Sequence, residues 1–171
     1  ALPKPAQVRA LPLWVWIAAT WFGSGQLRPA SGTWGSLAAL PFAWGLAWLG
    51  GPWLLLAATV LVTLIGIRAA QIYSDVTGTH DNGRIVIDEV AGQWLTLVLA
   101  PLDPAAYAAG FVLFRFTDIV KPWPARWVDQ HMGGGAGIVL DDVVAGLYAA
   151  IALVLIGHYL EWDIPWPVIT I

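Results

Sequence analysis

The chain has 171 residues, of which 58% are hydrophobic and only 11% charged; its formal net charge is −3 and it has no cysteine. A soluble domain carries about 25% charged residues, so this excess of apolar surface, with a mean hydropathy of +0.70, calls for a second apolar solvent, and lipid is the natural one. The missing thiols exclude disulfides, thiolate metal sites and cysteine-based nucleophilic catalysis, and no nucleic-acid partner is expected.

Along the chain, Lys4 and Arg9 precede an apolar run, as in a signal peptide, but no small-x-small cleavage site follows and more apolar segments lie downstream. The run is therefore expected to be retained. Six apolar segments are predicted, at 11–22, 36–49 (carrying Pro41), 53–72, 88–100, 105–120 and 141–160. They are too long and too rich in Ala, Leu, Val and Gly for strands. Backbone groups in lipid must pair within their own segment, so these segments are helices. A span needs about 20 apolar residues. The third and sixth approach that, the second, fourth and fifth are short, and the first suits a re-entrant or interfacial helix. The expected architecture is all-α: a compact polytopic helical membrane bundle of about five spanning helices plus the short N-terminal element. It forms a single domain over 1–171, with tails at 1–10 and 161–171. If the first segment does not cross, the connections 23–35, 73–87 and 121–140 share one side with Lys4, Arg9, Arg28, Arg84, Lys121 and Arg126. Arg68 and Arg115 lie at helix ends on that side. The turns at 50–52 and 101–104 carry no Lys or Arg, which makes the basic side cytoplasmic.

Nine of the eleven carboxylates lie between Asp75 and Asp142, and four of them form adjacent pairs, Asp88-Glu89 and Asp141-Asp142, each predicted to open an apolar helix. Acids at membrane depth mark function, and neighbouring carboxylates repel unless a cation sits between them. Hard oxygen ligands of this kind suit Mg2+. Helix N-capping explains one pair alone equally well. Arg115, Asp118 and Lys121 follow at i, i+3, i+6 and share a helix face, with Pro122 and Pro124 ending the helix. Such a face can be an ion-pair ladder, or Arg115 and Lys121 can hold phosphate oxygens while Asp118 serves as base or ligand. His80-Asp81 stands just before the first acidic pair, where the imidazole could protonate a leaving oxygen. The glycine- and hydroxyl-rich stretch 23–36 includes Thr33 and Ser36 and leads into a helix, where backbone amides can cradle phosphate. It lacks a P-loop lysine, so nucleotide binding is not supported. Finally, 85–92 echoes 138–146, each an apolar triplet, an acidic pair and small residues.

Taken in order, several stretches resemble the bacterial phosphatidylglycerophosphatase A family. They are Gly23-Ser24-Gly25 with Gly32-Thr33-Trp34-Gly35-Ser36; His80-Asp81 with Asp88-Glu89; Arg115 with Asp118, Lys121-Pro122-Trp123-Pro124 and Asp129; and Gly135-Ala136-Gly137 with Asp141-Asp142 and Ala145-Gly146. They cover roughly residues 22–150. The resemblance implies Mg2+-dependent removal of the terminal phosphate from phosphatidylglycerol phosphate, at the bacterial cytoplasmic membrane, by an all-helical protein. It does not assign individual roles. On the residues themselves, Asp88, Glu89, Asp141 and Asp142 are expected to hold metal. Arg115, Lys121, Thr33 and Ser36 are expected to bind substrate, and Asp118, His80 and Asp81 to serve the chemistry. The expected partners are the phospholipid substrate and the bilayer, and the site is expected to face the cytoplasm. A divalent-cation transporter using the same carboxylates is the alternative. The Asp-Gly-x-x-Ala-Arg element of CDP-alcohol phosphotransferases and the Pro-Ser-Gly-His element of histidine-dependent lipid phosphatases are both absent.

Overall fold

The computed structural model of the chain describes residues 10–79 and 82–162. Among these the protein is all-helical: α1 (Leu13–Ala19), a 3-10 turn (Ser24–Gln26), α2 (Ser31–Thr77), α3 (Ile87–Leu97), α4 (Pro104–Val120), α5 (Ala125–His131) and α6 (Gly134–Tyr159).

The long α2 is two helices in one. Gly50 and Gly51 leave helical geometry, Gly51 with φ 65° and ψ −164°, a conformation open to glycine and closed to residues with a Cβ. Pro52 then sits at the start of the next helix, where its missing N–H is no loss. The two arms, 31–49 and 52–77, run antiparallel. Gly35 on the first arm abuts Val86 and Gly66 on the second abuts the adjoining Ile87, so the chain has returned to the same level. The break matches the expected turn at 50–52.

Local chemistry explains the other boundaries. Asp103 caps α4 by accepting from the Ala106 N–H at 2.9 Å, with Pro104 as the first helical residue. At the far end Lys121 adopts φ 47° and Pro122 cannot continue the helix. The entry to α3 is pinned by the Val86 N–H donating to the Ala19 carbonyl at 2.8 Å, which also fastens α1 to the bundle.

Two expected boundaries need correction. Helix α6 begins at Gly134, not Asp141. Glycine disfavours helix in isolation, but here Gly135 lies against the Ile67 carbonyl and the Gln71 backbone, where no side chain fits. The Gly135 N–H donates to Gln71 Oε1 at 2.8 Å. Packing thus extends α6 by about two turns, and Asp141-Asp142 lies inside it rather than opening it. The connection 121–140 also contains α5, whose seven residues are too few to show a pattern.

The core is Val15, Ala19, Leu55, Ala69, Val86, Ile87, Val90, Leu97 and Val139, all essentially without solvent contact. The exterior is equally apolar: Leu49, Leu64, Val112, Phe116, Ile119, Ile151 and Leu155 are each more than half exposed. Soluble monomers do not present so much contiguous apolar surface. Two helices, α2 and α6, are long and apolar enough to cross a membrane. Helix α3, with 11 residues, is only about 16 Å long, and α4, with 17, about 25 Å, so neither reaches a full span by length.

Candidate active site

Every candidate acid and base that the structure describes collects at one end of the bundle. Asp88 and Glu89 occupy the first turn of α3, where the helix dipole favours negative charge. Asp142 reaches the same point from α6. One carboxylate oxygen from each of these three lies within 4.8 Å of the others. The approach is set by backbone. A Cβ at Gly92 would strike the Asp142 carbonyl and the Phe114 ring, and one at Gly146 would strike the Gly92 carbonyl. Thr96 Oγ1 ties the crossing, donating to the carbonyls of Gly92 (2.9 Å) and Gly146 (3.2 Å). The two echoing stretches therefore meet through their glycines. They differ in helical position, one pair opening its helix and the other lying within.

Cations flank the trio on both sides. Arg115 Nη1 donates to Asp118 Oδ2 at 2.6 Å and lies 3.8 Å from Glu89 Oε1. Its guanidinium also lies over Gly32, in the first turn of α2, where a Cβ would collide with Glu89. Lys121 donates to Asp141 Oδ2 and, at 3.1 Å, to Asp129 Oδ1. Burial lowers an ammonium pKa, but the Asp141 carboxylate outweighs it and holds Lys121 above its ordinary value. Asp141 Oδ1 accepts the Asp142 N–H at 2.9 Å. Asp141 thus faces Lys121, and the structure does not bring it into the trio with Asp88, Glu89 and Asp142. A cavity of about 100 Å³ opens between them, lined by Asp88, Lys121, Asp129, Gly137 and Asp141 among others.

The remaining expected residues divide. Thr33 is half-buried in the first turn of α2, beside Gly32. Ser36 is fully buried and its hydroxyl donates to the Gly32 carbonyl at 2.9 Å, so it stays within its own helix and outside the cluster. His80 and Asp81 lie outside the described residues.

The cluster contains buried polar atoms without a hydrogen-bond partner among the described residues: Asp88 Oδ1, Glu89 Oε2, Arg115 Nε and both amide atoms of Gln93. Buried acceptors are ordinarily satisfied. Two orphaned carboxylate oxygens beside a third carboxylate fit a hard divalent cation. Gln93 is the residue that sequence reasoning overlooked. It is fully buried and stands one turn beyond Glu89 on the same face of α3. A lone amide at that spacing in an apolar run was the available signal. Asp129, on α5, stands in the family-like stretch without an expected role; the structure pairs it with Lys121.

Residues 17–157, most of the chain, match the family Phosphatidylglycerophosphatase A. The chain belongs to the phosphatidylglycerophosphatase A family. It is 42% identical to phosphatidylglycerophosphatase A of Escherichia coli (strain K12) over 153 residues, covering 88% of this chain and 84% of that protein. Identity to the Haemophilus influenzae phosphatidylglycerophosphatase A is 41% over 145 residues, 84% of this chain and 89% of the relative. A Bacteroides thetaiotaomicron protein provisionally named a phosphatidylinositol-3-phosphatase is 38% identical over 147 residues, 78% of this chain and 87% of that one. No solved structure matches the chain. The family member described here is a phosphatase. The cation-transporter alternative finds no support among relatives that all carry phosphatase names.

Proposed function

We propose that this family member removes the terminal phosphate of phosphatidylglycerol phosphate at the cytoplasmic face of a bacterial inner membrane, as a multi-pass protein that requires Mg2+. The observation that carries the reading is the carboxylate trio of Asp88, Glu89 and Asp142, within 4.8 Å, flanked by Arg115 and Lys121. A phosphomonoester needs both parts: cations for its oxygens, and carboxylates to hold the metal that offsets its charge. The fold supports a membrane setting through its apolar exterior, and the short α3 and α4 fit a locally thinned bilayer.

Asp88, Glu89 and Asp142 would hold the ion. A divalent cation at such a site supplies charge neutralisation and a more acidic water. The chain's own groups do the rest. Arg115, fixed through Nη1 by Asp118, presents its remaining N–H groups to phosphoryl oxygens. Lys121, which lines the cavity with Asp88 and Asp141, adds a point charge. Asp118, 8% exposed and paired with Arg115, is proposed to accept a proton from the attacking water. Preorganised charges of this kind stabilise the transition state without reorganising as it forms. His80 and Asp81 are proposed to assist the departing oxygen.

The test is phosphate release from phosphatidylglycerol phosphate by protein purified in detergent, with Mg2+ and with chelator. The expected outcome is activity that chelation abolishes and that Asp88→Asn or Asp142→Asn reduces by about a hundredfold or more. Activity indifferent to both would overturn the metal reading. Parallel assay of phosphatidylinositol 3-phosphate separates the two head groups named among the relatives.

A further inference from the structure

The first arm of α2 and helix α4 run antiparallel, touch at two levels and leave a groove between. At the site, Gly32 lies under the Arg115 guanidinium. Further along, Trp44 meets Tyr107 edge-on with ring centroids 4.9 Å apart. Around that second contact lies an apolar groove of about 340 Å³, lined by Leu40, Pro41, Trp44, Pro104, Tyr107 and Ala108. Tyr107 is only 5% exposed, yet its hydroxyl has no hydrogen-bond partner among the described residues. A buried phenol normally has one.

The groove continues the site along the same two helices. Tyr107 lies eight residues before Arg115, about 12 Å along α4, and Leu40 eight residues after Gly32, about 12 Å along α2. An extended glycerophosphoglycerol head group covers a comparable distance between its terminal phosphate and its acyl ester. We infer that this groove seats the acyl ester and first chain carbons of the lipid substrate, with Tyr107 Oη donating to an ester carbonyl. The inference rests on the proposed function for its substrate and adds a second binding locus, remote from the reacting phosphate. Leu40, Pro41, Trp44 and Ala108 receive the chain. Binding there is uniform between ground and transition states, so it sets KM and not kcat.

The experiment compares phosphatidylglycerol phosphate with its deacylated head group in detergent. Tyr107→Phe is expected to raise KM for the lipid about five- to tenfold, with kcat held. Ala108→Trp, which fills the groove, is expected to raise it further. Neither is expected to change KM for the deacylated substrate by more than about twofold. Val112→Trp, on a 63% exposed position of α4 outside the groove, is expected to leave both substrates unaffected. Equal effects on both substrates, or Val112→Trp matching Ala108→Trp, would overturn the inference. A second measurement stands apart from catalysis: photolabelling of the wild-type protein with phosphatidic acid carrying a diazirine near its acyl ester. Label concentrated at 40–44 and 104–108 supports the groove even if no phosphatase activity is found, in which case the proposed function alone fails. Label spread evenly over Val112, Leu155 and the groove removes the inference and leaves the proposed function intact.

Discussion

Single side chains in this site are held by opposite charge at close range. Lys121 is the clearest case, because among the described residues it is the cation paired with Asp141, whose side chain is 4% exposed. Truncating Lys121 to Ala strands that carboxylate and is expected to destabilise the protein by about 3 kcal/mol, read as a fall in unfolding temperature in detergent. The double change Lys121→Met with Asp141→Leu is expected to recover most of that stability while leaving the protein inactive, which separates structural from catalytic use of the pair. Gln93 makes the contrary expectation. Its buried amide has no partner among the described residues, so Gln93→Leu removes a desolvation penalty and is expected to raise stability by about 1 kcal/mol. A drop in stability would show that the amide is satisfied in the folded protein.

Among elements, the α3–α6 crossing decides whether the trio exists. Gly92→Ala and Gly146→Ala place a methyl against backbone or a packed ring. Overpacking of this kind is expected to cost about 1–3 kcal/mol and to lower activity more steeply than stability, since Asp88 and Asp142 are pushed apart. Gly45→Ala, with nothing within 4 Å of the new methyl, is expected to stabilise by about 0.5–1 kcal/mol; the three variants together are checked by thermal unfolding beside phosphate release. The same elements show what the sequence could and could not disclose. Apolar run length exposed both arms of α2, α3, α4 and α6, and the i, i+3, i+6 spacing put Arg115, Asp118 and Lys121 on one face. The start of α6 was hidden because Gly133, Gly134 and Gly135 oppose helix by propensity, and only contact with Ile67 and Gln71 reverses that. The turning of Asp141 toward Lys121 was hidden for a related reason. Adjacent residues on a helix point about 100° apart, so Asp142 faces Asp88 and Glu89 while Asp141 turns to Lys121. The bond of Ser36 to the Gly32 carbonyl was not legible either, although hydroxyls within helices readily bond the carbonyl four residues back.

For the molecule as a whole, charge is sorted by end and apolarity by side. Within the contact cluster, six carboxylates (Asp88, Glu89, Asp118, Asp129, Asp141, Asp142) stand against two cations (Arg115, Lys121). That imbalance links cation binding to stability. Saturating Mg2+, at about a hundred times its dissociation constant, is expected to stabilise the protein by about 2.7 kcal/mol, and Asp142→Asn to abolish the response. The apolar flank makes a separate prediction. Leu155→Arg, at a position 65% exposed on α6, is expected to impair membrane insertion by about 2–3 kcal/mol, measured as the fraction recovered in the membrane pellet.

The glycine-to-carbonyl contact between α3 and α6 has one more consequence. Because main chain rests on main chain there, the gauge of the ion site is independent of which side chains face the lipid. Wholesale randomisation of outward positions such as Leu64, Val112 and Ile151 among apolar residues should therefore return mostly working enzymes. The same randomisation at Gly92 and Gly146 should return almost none, making two residues without side chains as hard to replace as the carboxylates they bring together.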